Sequence, residues 1–158
     1  MKLTPRKINA FAMFKLPAAY FTGVRVVEIS DDECKVSVKH RWINQNPFKS
    51  LFWAVQGMAA ELTTGALVMQ QIQESERKIS MLVTNMNGAF TKKAVGRIHF
   101  ICKDGQLIKE AIKKSIETGD GQVIVMTAEG FNAADVSVSK FEFEWSVKVK
   151  NCNRYIEK

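Results

Sequence analysis

The 158-residue chain predicts an α+β roll, an antiparallel β-sheet wrapped around one long buried helix. Three observations predict it. Residues 51–73 hold no proline and place Leu51, Phe52, Trp53, Val55, Met58, Leu62, Leu67, Val68, Met69 and Ile72 nearly all the way round a helix. A helix that is apolar on every side is buried rather than laid on a surface. Residues 136–150 alternate, with Phe141, Phe143, Trp145, Val147 and Val149 against Glu142, Glu144, Ser146, Lys148 and Lys150, the period of a sheet with one apolar face. The order is a strand pair, the long helix, then two more hairpin-like pairs with a helix between them. A one-faced sheet and a helix without a wet side satisfy each other by packing together.

The elements follow in order. Residues 1–23 start basic and are interrupted by Lys7, Asn9 and Lys15, so they lack the apolar core of a signal peptide. They read as a short amphipathic helical extension, with Ile8, Phe11, Ala12 and the stem of Lys15 on one side, ended by Leu16-Pro17. Residues 24–29 form a strand, Asp31-Asp32 a turn, and 34–40 the returning strand, with Cys34, Val36 and Val38 alternating against Lys35, Ser37 and Lys39. His40 ends that strand in the apolar phase, as a structural residue. Pro47 precedes the long helix and Ser50 is its expected N-cap. Along that helix Ala54, Gly57, Ala59, Ala60, Gly65 and Ala66 let another backbone come close.

Beyond the charged exit at 74–78, residues 79–90 read as a strand with Asn85 and Asn87 on one face and Thr84 and Met86 on the other. Residues 92–96 turn the chain and 97–103 return it, with Ile98, Phe100 and Cys102 inward. Asp104 is the expected cap of a helix over 105–117, whose stripe is Leu107, Ile108, Ala111, Ile112 and Ile116 and whose wet side is Lys109, Lys113 and Lys114. Gly119 and Gly121 stop it. A strand over 122–131 and a turn over 132–135 lead to the last strand. There Val136 and Val138 are out of phase with the aromatic alternation, so a β-bulge is expected at Ser139-Lys140. Residues 151–158 read as a polar tail, and residues 1–158 as one domain.

Hydrophobic and charged contents of 46% and 25% are those of an ordinary soluble globular protein, and no apolar run reaches bilayer length. Cys34, Cys102 and Cys152 show no CxxC and no companion histidines, which indicates reduced thiols in a cytoplasmic protein. With only His40 and His99 in the chain, metal clusters and Ser-His-Asp hydrolases are excluded, and no glycine-rich phosphate loop is present. A formal charge of +7 points to an anionic partner: nucleic acid, an acidic membrane surface or a phosphate-bearing cofactor. No run of five basic residues occurs, which argues against nucleic acid.

Glu61 is the only charged residue between Lys49 and Glu74. A buried carboxylate must be paired, hydrated or neutral, and one held in apolar surroundings is suited to act as general base or nucleophile. The alternative is a structural carboxylate bonded to a neighbouring strand or a partner subunit.

The segment around Glu61 resembles the central helix of hotdog-fold acyl-CoA thioesterases of the phenylacetate-pathway type. In that family an Asn and a short turn lead to His-Gly-Gly, with an acid nine residues after the His. Here Asn46 matches the Asn, Phe52-Trp53-Ala54 stands where His-Gly-Gly would be, Glu61 stands nine residues after Phe52, and Gly65 matches the following small residue. The chain is most similar to an uncharacterised thioesterase-like branch with an Asn-Pro approach and a helical Glu, and the resemblance runs over residues 24–150. It implies the hotdog fold, a homodimer or dimer of dimers with sites at the subunit interface, and an acyl-CoA substrate whose coenzyme A is the only cofactor involved. It implies Glu61 and Asn46 as catalytic residues. The amides of Trp53 and Ala54, at the helix start, are candidate donors to the thioester oxygen, and Lys92, Lys93 and Arg97 are candidates for the coenzyme A phosphates. The bland readings are an Asx-type turn for Asn46 and a solvated tip for Lys92 and Lys93. A non-catalytic acyl or acyl-CoA binding protein is the alternative function.

Overall fold

In the computed structural model, which describes residues 2–150, two helices precede the first strand: α1 (Pro5–Lys15) and α2 (Pro17–Phe21). The polar tail and Cys152 lie outside the described residues. Thr4 caps α1 by accepting from the Lys7 amide, and Ile8 and Ala12 are its buried stripe. Pro17, which is tolerated at a helix start, ends the first helix and opens the second.

Strands β1 (Arg25–Ile29) and β2 (Cys34–Lys39) form the expected antiparallel pair. The long helix α3 runs over Trp53–Glu74, followed by β3 (Ile79–Phe90), β4 (Arg97–Cys102), α4 (Gly105–Thr118), β5 (Gln122–Phe131) and β6 (Ser137–Val149). The six strands make one antiparallel sheet in the order β1-β2-β4-β5-β6-β3. The sheet's inner face, with Val36, Val38, Phe100, Met126, Phe141, Trp145 and Val147, packs with the buried residues of α3 into one core.

Four expectations change. The strands at 79–90 and 97–102 do not pair with each other; β3 lies along β6 at the sheet edge, and β4 lies between β2 and β5. The connection 91–96 is therefore a crossover rather than a hairpin tip. It is held at one end by the Thr91 and Lys92 amides donating to Val138 O and at the other by Leu51 N donating to Ala94 O. Ser50 is not the N-cap of α3. Leu51 is committed to that bond and the Ser50 hydroxyl to Asn46, so the helix starts two residues later with Phe52 as cap. Asp104 precedes α4 without capping it, because its carboxylate accepts from Thr127 N at 2.7 Å and from the Cys102 thiol. The bulge in β6 falls at Val138, since Gly130 opposes Ser139 while Phe131 opposes Ser137.

The helix also has an open side. Ala54, Met58, Met69 and Ile72 are half-buried and Glu61 is exposed, all at helical spacing on one stripe. Elsewhere its polar residues are satisfied inside: Trp145 Nε1 donates to Thr64 Oγ1 at 3.0 Å, and the Ser139 hydroxyl donates to Gln56 Oε1 at 2.8 Å. Removing the Thr64 hydroxyl would leave the buried indole N–H without a partner. Thr64→Val is expected to lower the unfolding free energy by about 1–3 kcal/mol, read from urea denaturation.

Candidate functional site

Glu61 opens on a groove of about 500 Å³ between α3, the α1–α2 corner and the inner face of β3 and β6. Its walls include Phe11, Leu16, Pro17, Met58, Leu62, Met69, Met81 and Trp145, and the one other charged residue there is Lys15. The carboxyl makes no hydrogen bond or ion pair among the described residues; only its backbone carbonyl is used, by Thr64. The fully buried setting expected from the sequence is thus corrected. The side chain reaches solvent because α1–α2 stops short of closing the groove. The apolar walls nevertheless desolvate it enough to raise its pKa above the ordinary glutamate value. Gly65, one turn on, is needed for packing, since a Cβ there would lie 3.3 Å from the Trp145 ring.

Asn46, Trp53, Lys92 and Lys93 come together at the other end of the helix, around a hollow of about 370 Å³ that also touches Ser50, Gln56 and Phe90. The crossover 91–96 brings the lysines here, through the Leu51–Ala94 bond. Asn46 forms the Asx turn: Oδ1 accepts from the amides of Phe48 and Ser50 at 3.0 and 3.2 Å, and Nδ2 reaches the Ser50 hydroxyl at 2.9 Å. That leaves one amide N–H of Asn46 free of the turn. The first helical bonds run from Val55 N and Gln56 N to Phe52 O, and no side chain caps the helix. The amides of Trp53 and Ala54 are therefore orphan donors at the positive end of the helix dipole. Phe52 and Trp53 pack edge to face, ring centres 5.6 Å apart, and Trp53 stays mostly exposed beside the hollow.

Two groupings expected from the sequence separate. Arg97 lines neither cavity; it lies on the outer face of β4, because the chain between Lys93 and Arg97 passes from the helix start to the sheet. Glu61 and the orphan amides also belong to different cavities. Trp53 and Ala54 lie eight and seven residues before Glu61 on the same helix, a rise of about 10–12 Å. The α1–α2 wall of the Glu61 groove was not anticipated as site structure, although Phe11 on the amphipathic stripe was a signal. Gln56, the polar residue between core and hollow, carried none beyond its isolation.

Among the described residues His40 Nε2 and His99 Nδ1 are buried without a hydrogen-bond partner, and Cys34 and Cys102 oppose each other across β2 and β4 as free thiols. Burial pushes both thiols up to about 12, so they are inert as nucleophiles. Among the described residues no group of three His, Cys, Asp or Glu could hold a metal ion, and no helix is long and apolar enough to cross a membrane.

Solved structures share this architecture. A protein of unknown function from Pseudomonas aeruginosa, described as a probable thioesterase, superposes with a TM-score of 0.79 at 17% identity, covering 94% of this chain and 99% of that one. A protein of unknown function from Chlorobaculum tepidum gives 0.80 at 22%, covering 95% and 99%. The Escherichia coli PaaI protein of the phenylacetic acid degradation operon gives 0.62 at 13%, covering 89% and 96%. No curated protein matches the chain. A six-stranded sheet curled on a 22-residue helix, shared over nearly the whole chain with these proteins, is the hotdog fold. The chain belongs to the family described as domain of unknown function DUF4442, which matches residues 5–147.

The raised pKa of Glu61 has a sign that can be checked. A carboxyl that ionises less readily in the folded state gives a contribution that is present below its unfolded pKa and lost as pH rises through its folded pKa. Glu61→Gln is therefore expected to match the parent in melting temperature near pH 4 and to melt higher at pH 8, in paired thermal scans.

Proposed function

We propose that the protein is an acyl-CoA thioesterase that works as a homodimer or dimer of dimers, with Glu61 acting on the thioester as base or nucleophile. The observation that carries the reading is a lone, unpaired, partly desolvated carboxyl opening on an apolar groove with room for an acyl chain. As base, Glu61 takes a proton from water, whose oxygen attacks the thioester carbonyl. The C–S bond then breaks and the thiolate leaves, taking up a proton to become free coenzyme A. As nucleophile, its carboxylate attacks the carbonyl carbon, the C–S bond breaks and the thiolate leaves to take up a proton. Water then opens the resulting anhydride, releasing the acid and free Glu61.

The charge that develops on the carbonyl oxygen needs donors, and the Trp53 and Ala54 amides are the available ones. Since they lie about 10–12 Å from Glu61 along the same helix, the reading pairs the amides of one chain with Glu61 of a second. The remaining N–H of Asn46 then holds water or the thioester, and Lys92 and Lys93 meet coenzyme A phosphates. The need for a second chain is supported by β3, a 12-residue edge strand that exposes Leu82, Met86 and Phe90. Long apolar edges are normally covered. Solved relatives of the fold described as thioesterases add weight to the reaction class, and the free, buried thiols of Cys34 and Cys102 suit a cytoplasmic setting.

Phe52 and Trp53 at the head of the helix favour one other reading, a binder of acyl-CoA that does not hydrolyse it, since they stand where the resembling family has its His and first Gly. A free-thiol assay over a panel of acyl-CoAs separates the two. Turnover that falls about 100-fold or more in Glu61→Gln supports hydrolysis, whereas acyl-CoA-dependent thermal stabilisation without thiol release supports the binder. Unchanged turnover in Glu61→Gln would remove Glu61 from the chemistry. In sedimentation velocity the chain is expected at twice the mass of one copy or more, and Leu82→Lys/Met86→Lys is expected to shift it toward the single chain.

A further inference from the structure

A third concavity, of about 320 Å³, lies on the outer face of the sheet, away from α3. Arg25, Lys39, Arg41 and Arg97 line it, with Tyr20 and Phe21 on its rim. Register puts them together: Arg25 opposes Ser37, and Lys39 opposes Arg97. Alternation turns them outward, since the intervening Val36, Val38 and Ile98 are buried in the core.

No carboxylate among the described residues lines this hollow. Among the described residues none of the four cations takes part in an ion pair. Like charges directly opposite across two strands disfavour each other, so an arrangement with Lys39 facing Arg97 calls for an anion. Two of the guanidinium groups are held in place. That of Arg25 lies 3.6 Å over the Tyr20 ring and donates to Tyr20 O at 2.6 Å and Val24 O at 2.7 Å. That of Arg97 donates to the Ser37 hydroxyl at 2.9 Å. Each uses one terminal nitrogen, which leaves the rest of a fork whose geometry matches phosphate oxygens. His99 on the same face has its imidazole pKa lowered by burial first and by Lys35 and Arg97 after it, against the opposing charges of Glu28 and Asp135. Phe21 is 68% exposed and offers a flat apolar surface at the rim.

We propose that this hollow binds a nucleoside carrying two phosphates, the phosphates on Arg25, Lys39, Arg41 and Arg97 and the base against Phe21. Two phosphates bring roughly three to four negative charges at neutral pH, a match for the four cations, and the exposed ring favours a nucleoside over a bare inorganic anion. Such a group comes either as the nucleotide end of coenzyme A or as a free nucleotide. The inference stands on the hollow itself and does not require Glu61 to hydrolyse anything.

Isothermal titration of the full chain at low salt, with adenosine 3′,5′-bisphosphate, ADP, coenzyme A and inorganic pyrophosphate, tests it. The bisphosphate is expected to bind once per chain and to weaken with salt. Lys39→Gln/Arg41→Gln, both exposed positions, is expected to weaken it at least ten-fold. Lys109→Gln/Lys113→Gln, an equal loss of charge on α4, is expected to leave it unchanged. Phe21→Ala is expected to weaken the bisphosphate but not pyrophosphate. Coenzyme A binding as tightly as the bisphosphate assigns the hollow to its nucleotide end, in place of Lys92 and Lys93; ADP binding with coenzyme A excluded assigns it to a free nucleotide. The proposal is overturned by no heat change with either nucleotide up to about 1 mM, by binding that survives Lys39→Gln/Arg41→Gln, or by a short single-stranded oligonucleotide binding more tightly than the bisphosphate.

Discussion

A helix does not bend to bring its own residues together, and that rigidity governs how this molecule can work. Seven and eight residues of α3 separate Glu61 from the two amides that no helical carbonyl satisfies, and a rise of about 1.5 Å per residue fixes their distance. One thioester cannot meet both ends of that span at its reacting carbon. In the proposed reaction the acid and the donors are thus complementary halves of one site. Beyond Ala54 the small residues of the helix are buried against the chain's own sheet, and the uncovered β3 edge is the feature that would let a second copy approach.

The positions of those halves depend on how the sheet is threaded. If β3 and β4 had formed a hairpin, residues 92 and 93 would sit at a free tip. Because β6 lies against β3 instead, residues 91–96 must travel to β4, and they are fastened to the start of α3 on the way. One connection therefore delivers Lys92 and Lys93 to the orphan amides and sends Arg97 to the outer face. The same fastening draws Leu51 out of the helix and leaves the first turn uncapped by any side chain. A serine cap would have occupied a donor that the proposed reaction needs.

Much of the fold was legible from alternation and helical spacing. The strand of residues 122–131 and the body of the long helix are where periodicity puts them, since each has a face buried strongly enough to set its phase. Pairing was less legible. Periodicity says which side of a strand is inward but not which strand lies beside it, and a short connection favours the hairpin reading that β6 displaces. Glu61 stood out in the sequence because a lone charge in an apolar helix is costly wherever it points. Its exposure depended on where α1 and α2 stop, a tertiary fact with no local signature. The outer cations were overlooked because lysines and arginines at every second position look like an ordinary wet face. Only the register, which sets Lys39 against Arg97 and Arg25 against Ser37, turns them into a cluster.

The separation of charge explains why Glu61 keeps a raised pKa in a chain with a formal charge of +7. An excess of cations near a carboxylate would stabilise its ionised form and lower its basicity. Here desolvation is the sole cause of the shift. Lys15 shares the groove without pairing to the carboxyl, while Arg25, Lys39, Arg41 and Arg97 face outward from the other side of the sheet. Water and counter-ions screen their field on that side, over a Debye length of about 8–10 Å at ordinary ionic strength. The strand that carries cations outward on one residue carries core residues inward on the next. The same alternation therefore gathers anion-binding groups on the outer face and leaves the inner groove apolar, so that Glu61 remains a good proton acceptor.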